Sequence, residues 1–415
     1  MTTPLRCSHS RSSVKPDAGA GRADWLHIAR EMADDLSTDA AEREQAGKTP
    51  LDEVSRLRES GLLALLVPAE QGGAGEDWRT AYAVVRTVAA ADGPIGHLLG
   101  HHYFLSFSPR FFADPARADQ IERKSAQGQW CWGGGISSHE PPLILTPKAN
   151  GYLLSGYQRY ATGVGIADRL MVRAAVYGTG EPLAVLVDPA HPGVESGSTG
   201  DTLGRRLAAG GAVEFDSVPI MKDDVFGSLS PDEGALSPFA SLAVPTARLV
   251  STQFCLGVAE GLLAEVHEHG RAARASRQPF SPQAWPDSPP PQDPYALTVY
   301  GELTVVARGA SALADEAVDA LSRGLAQGED LDDEECAEIA VLASLAEAAA
   351  SRAAREITTR ALDVVGADAA ATRHGFDRFW RDTRTHTLCE PTAHRLREIG
   401  DYFLNGAHPP FTLPA

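Results

Sequence analysis

The sequence predicts an α+β chain built as three blocks, helical, then β-rich, then helical again. Two observations carry this. Apolar residues recur at helical spacing in the first hundred residues and again after about Leu236. Between them, short β-prone runs alternate with Gly, Pro and Asp turns. Such segregation of elements is the mark of α+β architecture. At 415 residues the chain also exceeds what one hydrophobic core usually serves, so two or three domains are expected. The boundaries read as a tail over 1–24, a helical domain over 25–128, a central β domain over 129–235 and a helical bundle over 236–415.

The tail is rich in Ser, Gly and basic residues and has no apolar stretch of the kind a secretory leader needs, so it is expected to be disordered. From Trp25, the positions Trp25, Ile28, Ala29, Met32 and Leu36 share one helix face. Leu51, Val54 and Leu57 repeat the pattern before Gly61. The run Gly61–Pro68 and the turn Gln71–Gly75 then read as a buried connector.

After about Gln129 the segments Gly151–Gly156, Leu170–Val176, Leu183–Asp188 and Ala212–Val218 predict strands of a small antiparallel sheet or barrel. Helical spacing returns at Leu236. Over Cys336–Val365, Ile339, Leu342, Leu345, Ile357 and Leu362 stand among alanines that let helix backbones approach closely. The proline-rich stretch from Gln278 to Pro294 cannot be helix interior and is expected to be a surface loop.

A net charge of −18 disfavours a nucleic-acid partner, because binding a phosphate backbone needs concentrated Lys and Arg. The five cysteines (Cys7, Cys131, Cys255, Cys336 and Cys389) are scattered without a C-x-x-C pair, which argues against a disulfide framework or a structural zinc site. No stretch approaches the roughly 18 uninterrupted apolar residues of a membrane span, so no membrane partner and a cytoplasmic location are expected.

Several local stretches resemble the acyl-CoA dehydrogenase superfamily, and within it the dibenzothiophene monooxygenase branch. They are Ser60–Pro68, Ala89–His97, Tyr300-Gly-Glu302, Gly375–Asp382 with Thr383–His386, and Leu404-Asn-Gly406. The resemblance implies an N-terminal helical domain, a central small β-barrel or sheet and a C-terminal four-helix bundle. It also implies a flavin cofactor (reduced FMN supplied by a separate reductase, with FAD as the alternative), a small-molecule substrate and a homotetramer. One fold hosts many chemistries, so the stretches specify the fold more tightly than the reaction.

The same resemblance nominates site residues. A serine and a histidine that assist the flavin in that branch fall on Thr162 and Cys389; Thr162 keeps a hydroxyl, while a thiol is a weak donor beside an imidazolium. Glu390 occupies the position of the proton-abstracting base in many acyl-CoA dehydrogenases. His386 and His97 match histidines of the monooxygenase branch, and His97 shares a helix face with His101, next to His102 and Tyr103. Trp130–Ser138 matches the strand and turn along the flavin ring, which nominates Trp132, Gly134 and Gly135, while Gly163 and Thr162 are nominated with the cofactor from Tyr160–Gly165. Gly135 stands where the branch has an asparagine. Arg277, or Gln278 in a shifted alignment, matches a phosphate-binding arginine from a neighbouring subunit. Asp368 stands where the branch has an arginine for that phosphate; two unit charges 4 Å apart interact by about 4 kcal/mol at an effective dielectric near 20.

From the residues alone, Thr162 is a turn threonine, Glu390 a solvated helix-end charge, His386 a packed core histidine and Trp132 a residue that stacks or merely packs. His-x-x-x-His without a third ligand does not make a metal site. Three functions stay open. The first is a two-component flavin monooxygenase acting on sulfur or amine nitrogen. The second is a flavin dehydrogenase with Glu390 as base, and the third is a flavin-free scaffold that either binds a ligand or catalyses a non-redox step with Cys389, Glu390 and the histidines.

Overall fold

The computed structural model describes residues 21–136, 142–198, 202–229, 232, 234, 236–276, 294–389 and 391–412. Most of the expected tail, the expected surface loop, Arg277 and Glu390 lie outside them.

The N-terminal block runs α1 (Arg22–Ser37), α2 (Ala40–Ala46), α3 (Leu51–Glu59), α4 (Trp78–Ala91), α5 (Gly93–Phe107), α6 (Pro109–Phe112) and α7 (Pro115–Gly128). The connector between α3 and α4 folds into two short 3-10 turns, with Leu62–Val67 fully covered. Helix α5 starts where it does because the Asp92 carboxylate accepts from the Ile95 N–H and Pro94 occupies the first turn. It is apolar almost all round, which fits its place between α4, the sheet and the C-terminal block.

Among the described residues eight strands follow: β1 (Trp132–Gly135), β2 (Leu143–Lys148), β3 (Gly151–Ala161), β4 (Arg169–Val176), β5 (Pro182–Val187), β6 (Val194–Ser198), β7 (Gly211–Met221) and β8 (Val225–Ser228). They form one sheet in the order β6-β7-β3-β2-β4-β5-β8, with β1 also on β4. The sheet is mixed rather than antiparallel, since β1 and β2 both run parallel to β4 along successive parts of its edge. Alternation of apolar residues tells which face of a strand is buried, not the direction of its neighbour. The hairpin β2–β3, inserted between β1 and β4, makes those pairings parallel.

The last block contains α8 (Pro238–Ser241), α9 (Ala243–Ser276), α10 (Pro294–Gln327), α11 (Asp333–Val365), α12 (Asp377–Cys389) and α13 (Thr392–Asn405). Helices α9, α10 and α11 pack on one another through alanine-rich faces, and α12 and α13 lie against them. Gly257 and Gly261, one turn apart on α9, let it touch α4: a Cβ at either would collide with the backbone oxygen of Arg86 or Ala90. The stretch Pro238–Arg271 is long and apolar enough to cross a membrane, but 72% of its apolar window is buried in the fold, as befits a core helix. One hydrophobic core joins the two helical blocks to one face of the sheet through Met171, Ala184 and Leu186, and a second lies on the opposite face, where Leu170, Val172, Val185 and Val187 meet residues of β2, β3 and β7.

Candidate active site

The residues that meet come from α5, α9, α12 and the turn before β7. His97 and His101, one turn apart on α5, have stacked rings with centroids 6.2 Å apart. From α12, His386 approaches His97 edge-on at 6.1 Å, and Phe254 of α9 packs against both imidazoles at 5.4 and 5.0 Å. His386 is buried and Cys389, one turn further on the last residue of α12, is exposed.

Arg205 ties these groups together. Its guanidinium donates to Nε2 of His97 at 3.0 Å and to Sγ of Cys389 at 3.4 Å. Its backbone is left-handed (φ 57°), and its N–H donates to Oδ1 of Asp382 at 2.6 Å. The preceding Gly204 lies so close to the α12 backbone at Arg381 and Asp382 that no side chain fits there. A non-glycine residue with positive φ is uncommon and needs surroundings that hold it; here the Asp382 anchor does.

The electrostatics follow from burial. His97 is held well below the usual imidazole range by burial, then by Arg205, His386 and His101, so it is neutral and accepts the guanidinium proton at Nε2. Asp382, almost wholly buried, is pushed up to about 7 by desolvation and by the negative charges of Glu44 and Asp92. The Arg205 N–H and Arg381 pull it down only in part. Arg43 pairs with Asp92 at 2.7 Å and Arg381 pairs with Glu44, completing the ionic layer beneath the site.

The sheet side contributes β1. His101 Nε2 donates to the Gly134 carbonyl at 3.0 Å. Gly134, at φ 109°, exchanges both backbone hydrogen bonds with Thr162 just beyond the end of β3. The half-buried Thr162 hydroxyl makes no hydrogen bond among the described residues. Gly163 donates to Ala208, in the turn that Arg205 opens, so β1, the end of β3 and the arginine turn are bonded in series. The Gly135 carbonyl accepts from Gln158.

Other nominated residues have structural work. Trp132 is fully buried and its indole N–H donates to Ser125, so neither ring face is free to stack on a ligand. The Gly134 N–H is engaged with Thr162 rather than open, and its glycine is needed because a Cβ would strike the β4 backbone at Met171. His102 accepts from the Trp132 N–H and donates to the Leu63 carbonyl; burial lowers it to about 4, fixing it as a neutral strut. Tyr103 is core, and Asp368 falls in the 3-10 turn after α11. Among the described residues, no three His, Cys, Asp or Glu side chains are grouped to hold a metal.

Arg205, Asp382 and Phe254 were not singled out in the sequence. Arg205 lies in an irregular segment 108 residues from His97 and 184 from Cys389, so no local pattern announces it.

Residues 25–111 match the acyl-CoA dehydrogenase N-terminal domain and 249–391 the acyl-CoA dehydrogenase C-terminal domain. A dibenzothiophene monooxygenase of Rhodococcus qingshengii is 33% identical over 98% of this chain and 99% of its own. The chain belongs to the acyl-CoA dehydrogenase superfamily, in its dibenzothiophene monooxygenase-like branch. A superfamily member named a probable FMNH2-dependent monooxygenase, SfnC of Pseudomonas putida, is 31% identical over 92% of this chain and 95% of its own. The FMN-bound structure of TdsC from a Paenibacillus species superposes with a TM-score of 0.88 at 32% identity, covering 94% of this chain and all of that one.

Proposed function

We propose that the protein is a flavin-dependent monooxygenase that uses reduced FMN and O2 to oxygenate sulfur or amine nitrogen of a small molecule, with the flavin delivered by a separate reductase. The observation that carries this is likeness over the whole chain to enzymes named as such, at 31–33% identity. Likeness to a named short-chain acyl-CoA dehydrogenase falls to 21%.

The donor set suits a flavin ring. A planar heteroaromatic with oxygen and nitrogen at its edges needs apolar walls and a few hydrogen-bonding groups. The uncommitted Thr162 hydroxyl, the imidazoles of His101 and His386 and the Phe254 ring supply these. Bound and reduced, FMN would supply the electrons that activate O2. Thr162 would donate to the cofactor at the mouth of β1. Gly134, Gly135 and Gly163 would shape the backbone there, with Trp132 supporting them from within the core. His97, kept neutral, would wall the substrate space with His386 and Cys389. By resemblance alone, Arg277 would serve the cofactor phosphate, and Glu390 would be the base in the dehydrogenase alternative.

We place the enzyme in the cytoplasm as a homotetramer. Exposed apolar residues on α13 (Phe403, Leu404, Leu396) and α10 (Tyr295, Leu297, Val305) support an assembly that covers them. Titration with FMN and FAD in oxidised and reduced forms tests the reading: preference for reduced FMN with oxygen uptake is expected. Tight oxidised FAD with acyl-CoA-dependent bleaching would instead favour the dehydrogenase.

A further inference from the structure

The chain has 55 acidic residues against 37 Lys and Arg, and several of its covered arginines are matched with acids. Arg43 meets Asp92, Arg86 meets Glu260, Arg378 meets Glu265 and Arg381 meets Glu44. Arg205 differs. Its guanidinium has no carboxylate partner among the described residues and donates side-chain hydrogen bonds to a neutral imidazole and to sulfur. The nearby Asp382 is committed to the Arg205 backbone N–H. The backbone that carries the cation is also fixed, by Gly204 pressed on α12 and by the left-handed turn anchored to Asp382.

A guanidinium is the preferred partner of a planar oxyanion, because its parallel N–H groups match two oxygens at once. A thiol and an imidazole nitrogen are weak substitutes that an oxyanion would displace. We infer that Arg205 is the specificity-determining residue of this site and that it selects a small substrate carrying a carboxylate or similar oxyanion, bound against Cys389 and His97. This rests on the oxygenase reading for what is then done to the substrate, but the recognition itself needs no flavin.

Cys389 supplies the test, since it is exposed and touches Arg205, whereas Cys131, Cys255 and Cys336 are buried. Iodoacetate and iodoacetamide both alkylate a thiolate with loss of iodide, and differ in bearing a carboxylate or a neutral amide. Their rate ratio at Cys389, followed by peptide mass spectrometry on the full-length protein, therefore cancels the thiolate fraction and reports anion recognition. The ratio is expected to fall about tenfold in R205Q and to be recovered only partly in R205K, which restores charge without the planar fork. Equal ratios in wild type and R205Q would overturn the inference. So would protection of Cys389 by FMN but not by riboflavin, which would assign the anion to the cofactor phosphate. Failure here leaves the oxygenase reading standing, because flavin titration decides that separately.

Discussion

Replacing Asp382 by Asn should remove the pH dependence that this carboxyl imposes on stability. The group is 1% exposed and shifted from 3.8 to about 7, chiefly by desolvation and secondly by Glu44. Because the folded protein favours the protonated acid, the native state binds more protons than the unfolded chain between those two values. Stability from this group is therefore complete below about pH 4 and is lost as pH rises through 7. The whole span of about three units corresponds to about 4 kcal/mol, and the part crossed between pH 5 and pH 8 to about 3 kcal/mol. Asparagine mimics the neutral acid and keeps an oxygen for the Arg205 N–H, but cannot ionise. Urea denaturation of wild type and D382N at both pH values is the assay. D382N should gain about 3 kcal/mol on wild type between pH 5 and pH 8. Unchanged spacing between the two curves would refute the burial argument and with it the account of how the Arg205 turn is anchored.

Gly261→Ala should lose about 2 kcal/mol in the same assay despite alanine's better helix propensity, because its Cβ meets the Ala90 carbonyl of α4. Arg248→Met should cost about 3 kcal/mol, since Arg248 is buried between Glu347 and Glu398; a thermal melt unchanged from wild type would contradict this. Thr162→Ala should leave the melt alone yet slow oxygenation about a hundredfold if its hydroxyl donates to the reacting centre, measured as product formed per reduced FMN supplied.

Much of the architecture was legible because periodicity reports burial. The alanine-rich pattern over 336–365 became α11, and the runs at 151, 170, 183 and 212 became β3, β4, β5 and β7. Strand direction was not legible, since the parallel partners of β4 are set by where the chain inserts a hairpin. At the site, His97, His386 and Cys389 were reached through resemblance; His97 and Cys389 both meet Arg205, and His386 stands edge-on to His97. Arg205 itself was invisible because its position depends on a turn conformation and on an acid in another helix. For Trp132 the sequence left stacking and packing both open, because an aromatic among glycines suits either; in the fold the ring is buried and donates to Ser125.

The glycine seam between α9 and α4 has an implication for how such an enzyme can change. Helices α4 and α9 in backbone contact, clamped to each other by Arg86 with Glu260 and with α4 tied to α10 by Arg79 with Asp319, cannot part like jaws to admit a substrate. Nor can either helical block be exchanged for a relative's without matching the other across that seam. Entry routes and new substrate preferences are therefore left to the turns that cross the rim, and a single residue in one of them, as at position 205, can redirect selectivity without disturbing the frame.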